Sequence, residues 1–164
     1  MPFEIRQIRD GDADDVAALS LRAWAPVFDS LRDAMGDRLF DHVYRGDWRA
    51  YQEADVRRAC NAYHTLVAER DGEVVGFTAI DISDGRQEGE IYMLAVDPSA
   101  QGLGLGTHLT TAAVGVIRDA GFAIALVGTG GDPGHAAARA TYRKAGFTPV
   151  PSEHLFLLLD GDDG

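Results

Sequence analysis

Residues 88–107 read Glu88-Gly-Glu-Ile-Tyr-Met-Leu-Ala-Val-Asp-Pro-Ser-Ala-Gln-Gly-Leu-Gly-Leu-Gly-Thr107, and this stretch decides the fold. Its first half is a strand. Ile91, Leu94 and Val96 are three and then two residues apart, whereas a regular strand keeps a period of two. The odd step predicts a β-bulge near Met93 and Leu94, which re-aims side chains and leaves a backbone amide unpaired. Asp97-Pro98 ends the strand, because proline has no N–H to give to a ladder. Gln101 then leads into Gly102, Gly104 and Gly106, at every second position. Glycine lets a backbone approach a ligand closely and turn its amides toward it. A helix predicted from about Gly106 brings the positive end of its dipole to the same place. Strand, glycine turn and helix start together read as an anion site suited to a pyrophosphate. The competing reading is a glycine-rich turn that binds nothing.

Two common nucleotide motifs do not fit. Counting the dinucleotide fingerprint from Gly104 gives Gly104, Gly106 and then Leu109 where a third glycine is required. A phosphate-loop NTPase needs a Gly-Lys-Ser/Thr ending, and the loop has no lysine. A dinucleotide domain would also place its glycine turn after the first strand, not after a meander.

Working outward, the rest of the chain supplies that meander and its cover. Phe3–Ile8 alternates as a first strand, and a helix is expected from about Asp12 to Ala25, stopped by Pro26. Residues 27–47 suggest short helical pieces divided near Gly36, and Trp48–Tyr63 a further helix. The aromatics Trp24, Phe28, Phe40, Tyr44, Trp48 and Tyr51 either pack on the core or wall a substrate pocket. Thr65–Arg70 and Glu73–Ile82 flank Asp71-Gly72, a type I′ hairpin signal. Asp84-Gly85 turns into the strand at Glu90. After the helix that ends at Gly121, Phe122–Val127 is a strand with almost no polar position, expected to be buried on both faces. Asp132-Pro133 opens a helix that runs to Ala145, with Gly146-Phe147 as its C-terminal cap. Thr148–Val150 and His154–Leu159 are read as the last strands.

Composition bounds the function. The chain has 164 residues, 46% apolar and 25% charged, which suits one soluble domain. No apolar run, Leu155–Leu159 included, approaches the roughly 20 residues of a membrane span. The N-terminus lacks a basic-then-apolar leader, and the single cysteine, Cys60, cannot form an internal disulfide, so a cytoplasmic location is expected. Acidic residues outnumber basic ones 26 to 15, for a net charge of −11. That argues against nucleic acid or an anionic membrane as partner. It permits steering of a cationic amine, although solubility alone also accounts for it. His42, His64, His108, His135 and His154 show no paired metal-ligand spacing, so no metal is expected.

The pattern Gln101-x-x-Gly104-x-Gly106 resembles the coenzyme A pyrophosphate loop of the GNAT superfamily of N-acetyltransferases. His135-x-x-Ala138-x-x-x-Tyr142-x-Lys144-x-Gly146-Phe147 resembles that family's second segment, with His135 where the family usually has Asn. Gln101 stands in place of the commoner Arg. The hairpin Ala68–Phe77 is also similar. The resemblance covers residues 3–159 and is most specific from Thr65 to Phe147. It implies an α/β fold: a mixed, mostly antiparallel sheet of about seven strands with helices on both faces. It implies one domain over residues 1–160, followed by an acidic tail, 161–164.

The reaction so implied is acetyl transfer from acetyl-CoA to a primary amine of a small molecule or peptide, through a ternary complex. The implied coenzyme contacts are Leu94, Ala95, Val96, Gln101, Gly102, Leu103, Gly104, Leu105, Gly106, Thr107, His135, Ala138, Tyr142 and Lys144. Glu90 sits where several members carry a general base; otherwise the amine loses its proton through water. Tyr92 shares its strand parity. An amide near Leu94–Val96 would stabilise the oxyanion, and Tyr142 would protonate the leaving thiolate. Arg139, Arg143 and Lys144 either meet phosphates or complement the helix dipole. The alternatives are a protein N-terminal or lysine acetyltransferase, and a non-catalytic acyl-CoA-binding module. A homodimer is among the expectations.

Overall fold

The computed structural model describes residues 3–159; the acidic tail expected at 161–164 lies outside them. The alternating segments fold as a meander. Strands β1 (Glu4–Gln7), β2 (His64–Arg70), β3 (Glu73–Asp81) and β4 (Gly89–Val96) pair antiparallel in chain order. Strand β5 (Ala125–Val127) joins β4 in parallel. Asp71 and Gly72 both take positive φ, 54° and 82°, the geometry that the Asp-Gly pair predicts.

Helices α1 (Ala13–Met35), α2 (Asp37–Val43) and α3 (Trp48–Ala62) connect β1 to β2. Helix α4 (Leu105–Asp119) follows the glycine turn, and α5 (Ala136–Lys144) follows a 3₁₀ turn at Pro133–His135. Periodic apolar positions of α1 and α3 (Val16, Leu19, Val56, Ala59) cover one sheet face at Val67, Phe77 and Met93. On the other face Ala113 and Ile117 of α4 pack on Leu66, Ile80 and Ile91. Ile117 sits directly on Gly89, where an added Cβ would come within 2.6 Å of its Cγ2, so β4 and α4 pack this closely only because residue 89 is glycine.

Both glycine caps form as expected. Gly121 donates to the Arg118 carbonyl and Phe122 to Ile117; Gly146 donates to Arg143 and Phe147 to Tyr142. These are Schellman pairs, and the ring of Phe147 meets that of Tyr142 edge-on at 5.9 Å between centroids.

Three expectations are corrected. First, α1 does not stop at Pro26 but runs on to Met35. The missing proline N–H costs one helical hydrogen bond. The continued turn buries Phe28, which stacks on Trp48 at 4.3 Å and packs against Phe40, and this burial outweighs the loss. Second, the sheet has five strands among the described residues, not about seven: residues 148–159 form neither helix nor strand. Pro149 and Pro151 cannot donate to a ladder, and Leu155–Leu159 is not seated on the core. Third, β5 is three residues long with Leu126 exposed, not a strand buried on both faces. Its outer edge has no strand partner among the described residues.

Candidate active site

The site starts at an irregularity in β4. Ala79 of β3 faces Met93 and Ile80 faces Ile91, so Tyr92 is the extra residue of a bulge. The bulge lies one residue before the Met93–Leu94 step that the apolar spacing predicts. Strand β5 pairs only with Gly89, Glu90 and Ile91. From Tyr92 to Val96 the same edge of β4 faces no strand among the described residues. The parallel ladder therefore ends just before the bulge, where β5 itself ends, and Leu94, Ala95 and Val96 lie along the uncovered stretch of the β4 edge beyond it.

This wall ends at the glycine turn. Asp97 accepts from the Ser99 amide at 2.9 Å and from Arg22 of α1 at 2.9 and 2.5 Å, fixing the start of the turn. Burial raises the Asp97 carboxyl, but the Ser99 amide and the Arg22 guanidinium outweigh it and hold the group below its ordinary range. Gln101 donates its side-chain amide to the Val96 carbonyl at 3.1 Å, tying the turn to the end of β4. Gly102 and Gly104 take φ of 77° and 79°, the left-handed region that glycine enters without strain. Gly104 is the N-cap of α4, and no side chain caps the helix. The first-turn amides of Leu105, Gly106 and Thr107 are thus left to an outside acceptor at the positive end of the dipole. Leu105 buries its side chain in the core, whereas Leu103 is exposed.

Helix α5 crosses this helix start. A Cβ on Gly106 would lie 3.8 Å from the Thr141 methyl and 3.9 Å from a Val96 methyl, so the end of β4, the first turn of α4 and the α5 residue beside Tyr142 meet here. The Tyr142 ring is buried. No hydrogen bond fixes its hydroxyl among the described residues, and no described side-chain oxygen is both sealed and unpaired, so the hydroxyl opens outward. Burial pushes the phenol up to about 12, which keeps it protonated at neutral pH.

His135 is held in place. Its Nδ1 bonds to Asp132, which also accepts from Ser30 of α1 at 2.6 Å and from the Gly134 amide at 3.1 Å. Burial raises the Asp132 carboxyl; the Ser30 and His135 hydrogen bonds outweigh it and hold it low. Arg139 donates to the Gly130 and Asp132 carbonyls, both at 2.7 Å, which commits it to the loop. Ala138 is half-buried on the same helix, and Arg143 and Lys144 are exposed in its last turn.

Glu90 lies at the opposite end of β4, about 20 Å of strand from Val96. Its carboxylate accepts from Arg86 at 2.8 Å, and Arg86 also reaches Asp81 at 3.0 Å. Tyr92 donates to Asp55 of α3 at 3.1 Å and accepts from Arg58 at 2.7 Å, so the bulge residue is anchored to α3. Burial, with Asp55 adding to it, pushes the Tyr92 phenol up to about 12. The structure thus gathers Leu94–Val96, the glycine turn and Tyr142 at one end, with Glu90 and Tyr92 farther up the same strand.

The Acetyltransferase (GNAT) family model matches residues 26–147. The chain belongs to the GNAT family of acetyltransferases. A mycothiol acetyltransferase of Stackebrandtia nassauensis is 35% identical to this GNAT chain over 147 residues, covering 85% of the chain and 47% of that relative. A mycothiol acetyltransferase of Sanguibacter keddieii is 47% identical over 88 residues, 51% of the chain and 27% of the relative. The chain therefore spans about half, or less, of the length of these curated relatives. The PaiA N-acetyltransferase of Thermoplasma acidophilum, solved with coenzyme A, superposes with a TM-score of 0.71 at 16% identity, covering 93% of this chain and 94% of that one. A GNAT acetyltransferase of Brucella melitensis, solved with acetyl-CoA, gives 0.62 at 25% identity, covering 90% and 84%.

Some partners escape a reading of the sequence. Ser30 meets Asp132 across 102 positions, with no local signal. Arg86 reaches Glu90 because of how the Asp84-Gly85 connection folds. Only the Asp132–His135 pair carried a hint, since the residue three after an N-cap commonly folds back on it. Among the described residues there is no cluster of His, Cys, Asp and Glu that could hold a metal, and no helix long and apolar enough to cross a membrane.

Cys60 is not poised as a nucleophile: burial pushes its thiol up to about 11, against weaker opposing effects of Thr65 and Arg57. Ellman's reagent at pH 8 is expected to label it at least roughly tenfold more slowly than free cysteine, because so little of it is thiolate. Rapid labelling of the folded protein would contradict this burial.

Proposed function

We propose that this GNAT chain transfers an acetyl group from acetyl-CoA to a primary amine of a small molecule, with both substrates held at once. The observation that carries the reading is the β4 edge left uncovered beyond the end of β5, which runs on to an uncapped helix start beside Thr141, the neighbour of Tyr142. These features fit the cofactor: unpaired strand groups suit its amide-bearing arm, and free first-turn amides suit its pyrophosphate. Residues Leu94, Ala95 and Val96 would hold the arm, and Gly102, Gly104, Gly106 and Thr107 the phosphates. Gln101 would act by fixing the turn. His135 and Ala138 would face the arm from α5, while Lys144 would add a cation near the phosphates. Acetyl-CoA supplies the activated acyl group as a thioester.

The protein's part is to position groups and move protons. The amine nitrogen forms the new bond to the acyl carbon, the carbon–sulfur bond breaks, the amine gives up a proton and the sulfur takes one. Glu90 receives the amine proton, directly or through water, while Arg86 sets the carboxylate's direction. An amide of the opened β4 edge faces the oxyanion, and the Tyr142 hydroxyl gives its proton to sulfur. The relatives' names favour a small molecule over a peptide as acceptor. The net charge of −11 favours a cationic one. The lone Cys60 supports a reducing, cytoplasmic setting.

The test is coenzyme A thiol release with a panel of small amines. Turnover with at least one supports the reading; tight acetyl-CoA binding without turnover for any would favour a non-catalytic acyl-CoA module. Glu90→Gln is expected to lower kcat/KM by about ten- to fiftyfold at pH 7. The loss should shrink by pH 9, where more of the amine is already neutral. A pH-independent loss, or none, would remove Glu90 from the proton path.

A further inference from the structure

The loop between β5 and α5 is built around one imidazole. Two glycines let it close. A Cβ on Gly130 would lie 2.5 Å from Nδ1 and 2.8 Å from Cε1 of His135, and one on Gly134 would lie 2.7 Å from the Ser30 Cβ. A side chain at either position would push the ring or α1 aside. Arg139 fastens the loop through the Gly130 and Asp132 carbonyls. The Asp132 carboxylate then binds three groups: the Ser30 hydroxyl at 2.6 Å, the Gly134 amide at 3.1 Å, and Nδ1 of His135. Ser30 Oγ in turn accepts from the Gly134 amide at 2.9 Å.

This arrangement fixes the chemistry of the ring. Burial works against an ionised Asp132, yet the Ser30 and His135 hydrogen bonds hold the carboxyl below its ordinary range, so it is a carboxylate and can only accept. Nδ1 must therefore carry a proton, and in the neutral ring Nε2 is left as a bare acceptor. No hydrogen bond engages Nε2 among the described residues, and no described side-chain nitrogen is both sealed and unpaired, so Nε2 opens outward. His135, Ala138 and Tyr142 follow at steps of three and four residues, so they share one face of α5, and none of them is exposed.

We propose that Asp132 and Ser30 are positioning residues for acetyl-CoA: they hold His135 so that Nε2 accepts from an amide N–H of the coenzyme's arm. This rests on the acetyl-CoA reading above and gives one of its contacts a direction. The asparagine usual at this position can turn either end of its amide to a ligand, whereas neutral His135 paired with Asp132 offers only a lone pair. A donor on the ligand is accepted there, and an acceptor at the same point is refused.

The test reads the ring itself. Long-range 1H–15N spectra at pH 8.5, above the ordinary imidazole range, should show a proton on Nδ1 of His135 and none on Nε2, the residue being assigned by its loss in His135→Ala. Adding coenzyme A should move the Nε2 resonance and leave the Nδ1 proton in place. A bare Nδ1, protons on both nitrogens, or an Nε2 resonance indifferent to a coenzyme that calorimetry shows to be bound overturns the proposal. Asp132→Asn gives a second readout. Asparagine caps a helix start as well as aspartate does, so the fold is kept. Because the Gly134 amide can only donate, the new side-chain oxygen must stay on its side, and the new NH2 faces Nδ1 and moves the ring proton to Nε2. Acetyl-CoA affinity should then fall about tenfold or more. On a His135→Ala background the same substitution should change it by less than about twofold. An equal loss with and without His135 would make Asp132 a structural residue only and overturn the proposal. Should Asp132→Asn fail to fold, the wild-type spectra decide. A wild type that binds no acetyl-CoA ends the acetyl-transfer reading and this inference with it, whereas binding beside an indifferent ring ends this inference alone.

Discussion

Gly106→Glu is expected to weaken acetyl-CoA binding at least about a hundredfold, or about 2.7 kcal/mol, while the protein keeps its fold. Gly106 sits in the first turn of α4, and a Cβ there meets only ordinary van der Waals neighbours, Thr141 and Val96 at 3.8 and 3.9 Å. Its backbone is helical, so a side chain adds no strain of the kind Gly102 or Gly104 would suffer at φ near 78°. An acidic residue in the first turn of a helix is itself favourable by about 0.5 kcal/mol, because it faces the positive end of the dipole. The melting temperature should therefore hold or rise slightly. The carboxylate that stabilises the helix occupies the place where the amides of residues 105–107 would meet phosphate, and it adds repulsion of like charge. Calorimetric titration of wild type and variant, with thermal melts of both, checks the two halves of the statement. Unchanged affinity in a folded variant would mean that the turn binds no phosphate.

That variant can be specified because the turn is legible in the sequence. Alternate glycines after a strand ended by Asp97-Pro98 have few other uses, and the structure gives two of them positive φ. The Asp71-Gly72 turn and the Gly-Phe caps after α4 and α5 were legible for the same reason: each is a local rule satisfied by adjacent residues. The failures share the opposite cause. Pro26 obeys its local preference only until Phe28 finds Trp48, twenty residues on, and the stacked pair carries the helix through. An apolar run reads as a buried strand, yet Leu126 and Leu157 are exposed, because apolar composition does not say which element, if any, supplies the cover. In the site, the spacing of Ile91, Leu94 and Val96 revealed that a bulge exists, but strand pairing decided that Tyr92 is the extra residue. Glu90 is singled out by the family resemblance alone, whereas its Arg86 partner depends on the path of the connecting loop.

Tyr142→Phe should lower kcat by about a hundredfold and leave the acetyl-CoA dissociation constant within about threefold, the signature of a lost proton donor. The ring is buried against Phe147, and phenylalanine fills the same space, so packing is retained. What disappears is one hydroxyl that no other described residue holds. A titration separates this from a structural effect. The folded phenol is pushed up to about 12 by burial, against an ordinary value of 10.0. Its contribution to stability is fully present below pH 10 and is lost as pH rises from there through 12, because only the unfolded chain ionises easily in that window. Tyr92, also pushed up to about 12, contributes in the same window and remains in the variant. Melting temperature should therefore fall between pH 10 and 12 in both proteins, and less in Tyr142→Phe. A variant with the reduced alkaline slope and the reduced kcat has lost a buried phenol that acted on the sulfur. One with the reduced slope but undiminished kcat would show that the leaving thiolate departs without a proton from Tyr142. Coenzyme binding without measurable turnover in either protein would instead favour the acyl-CoA-binding reading of the same fold.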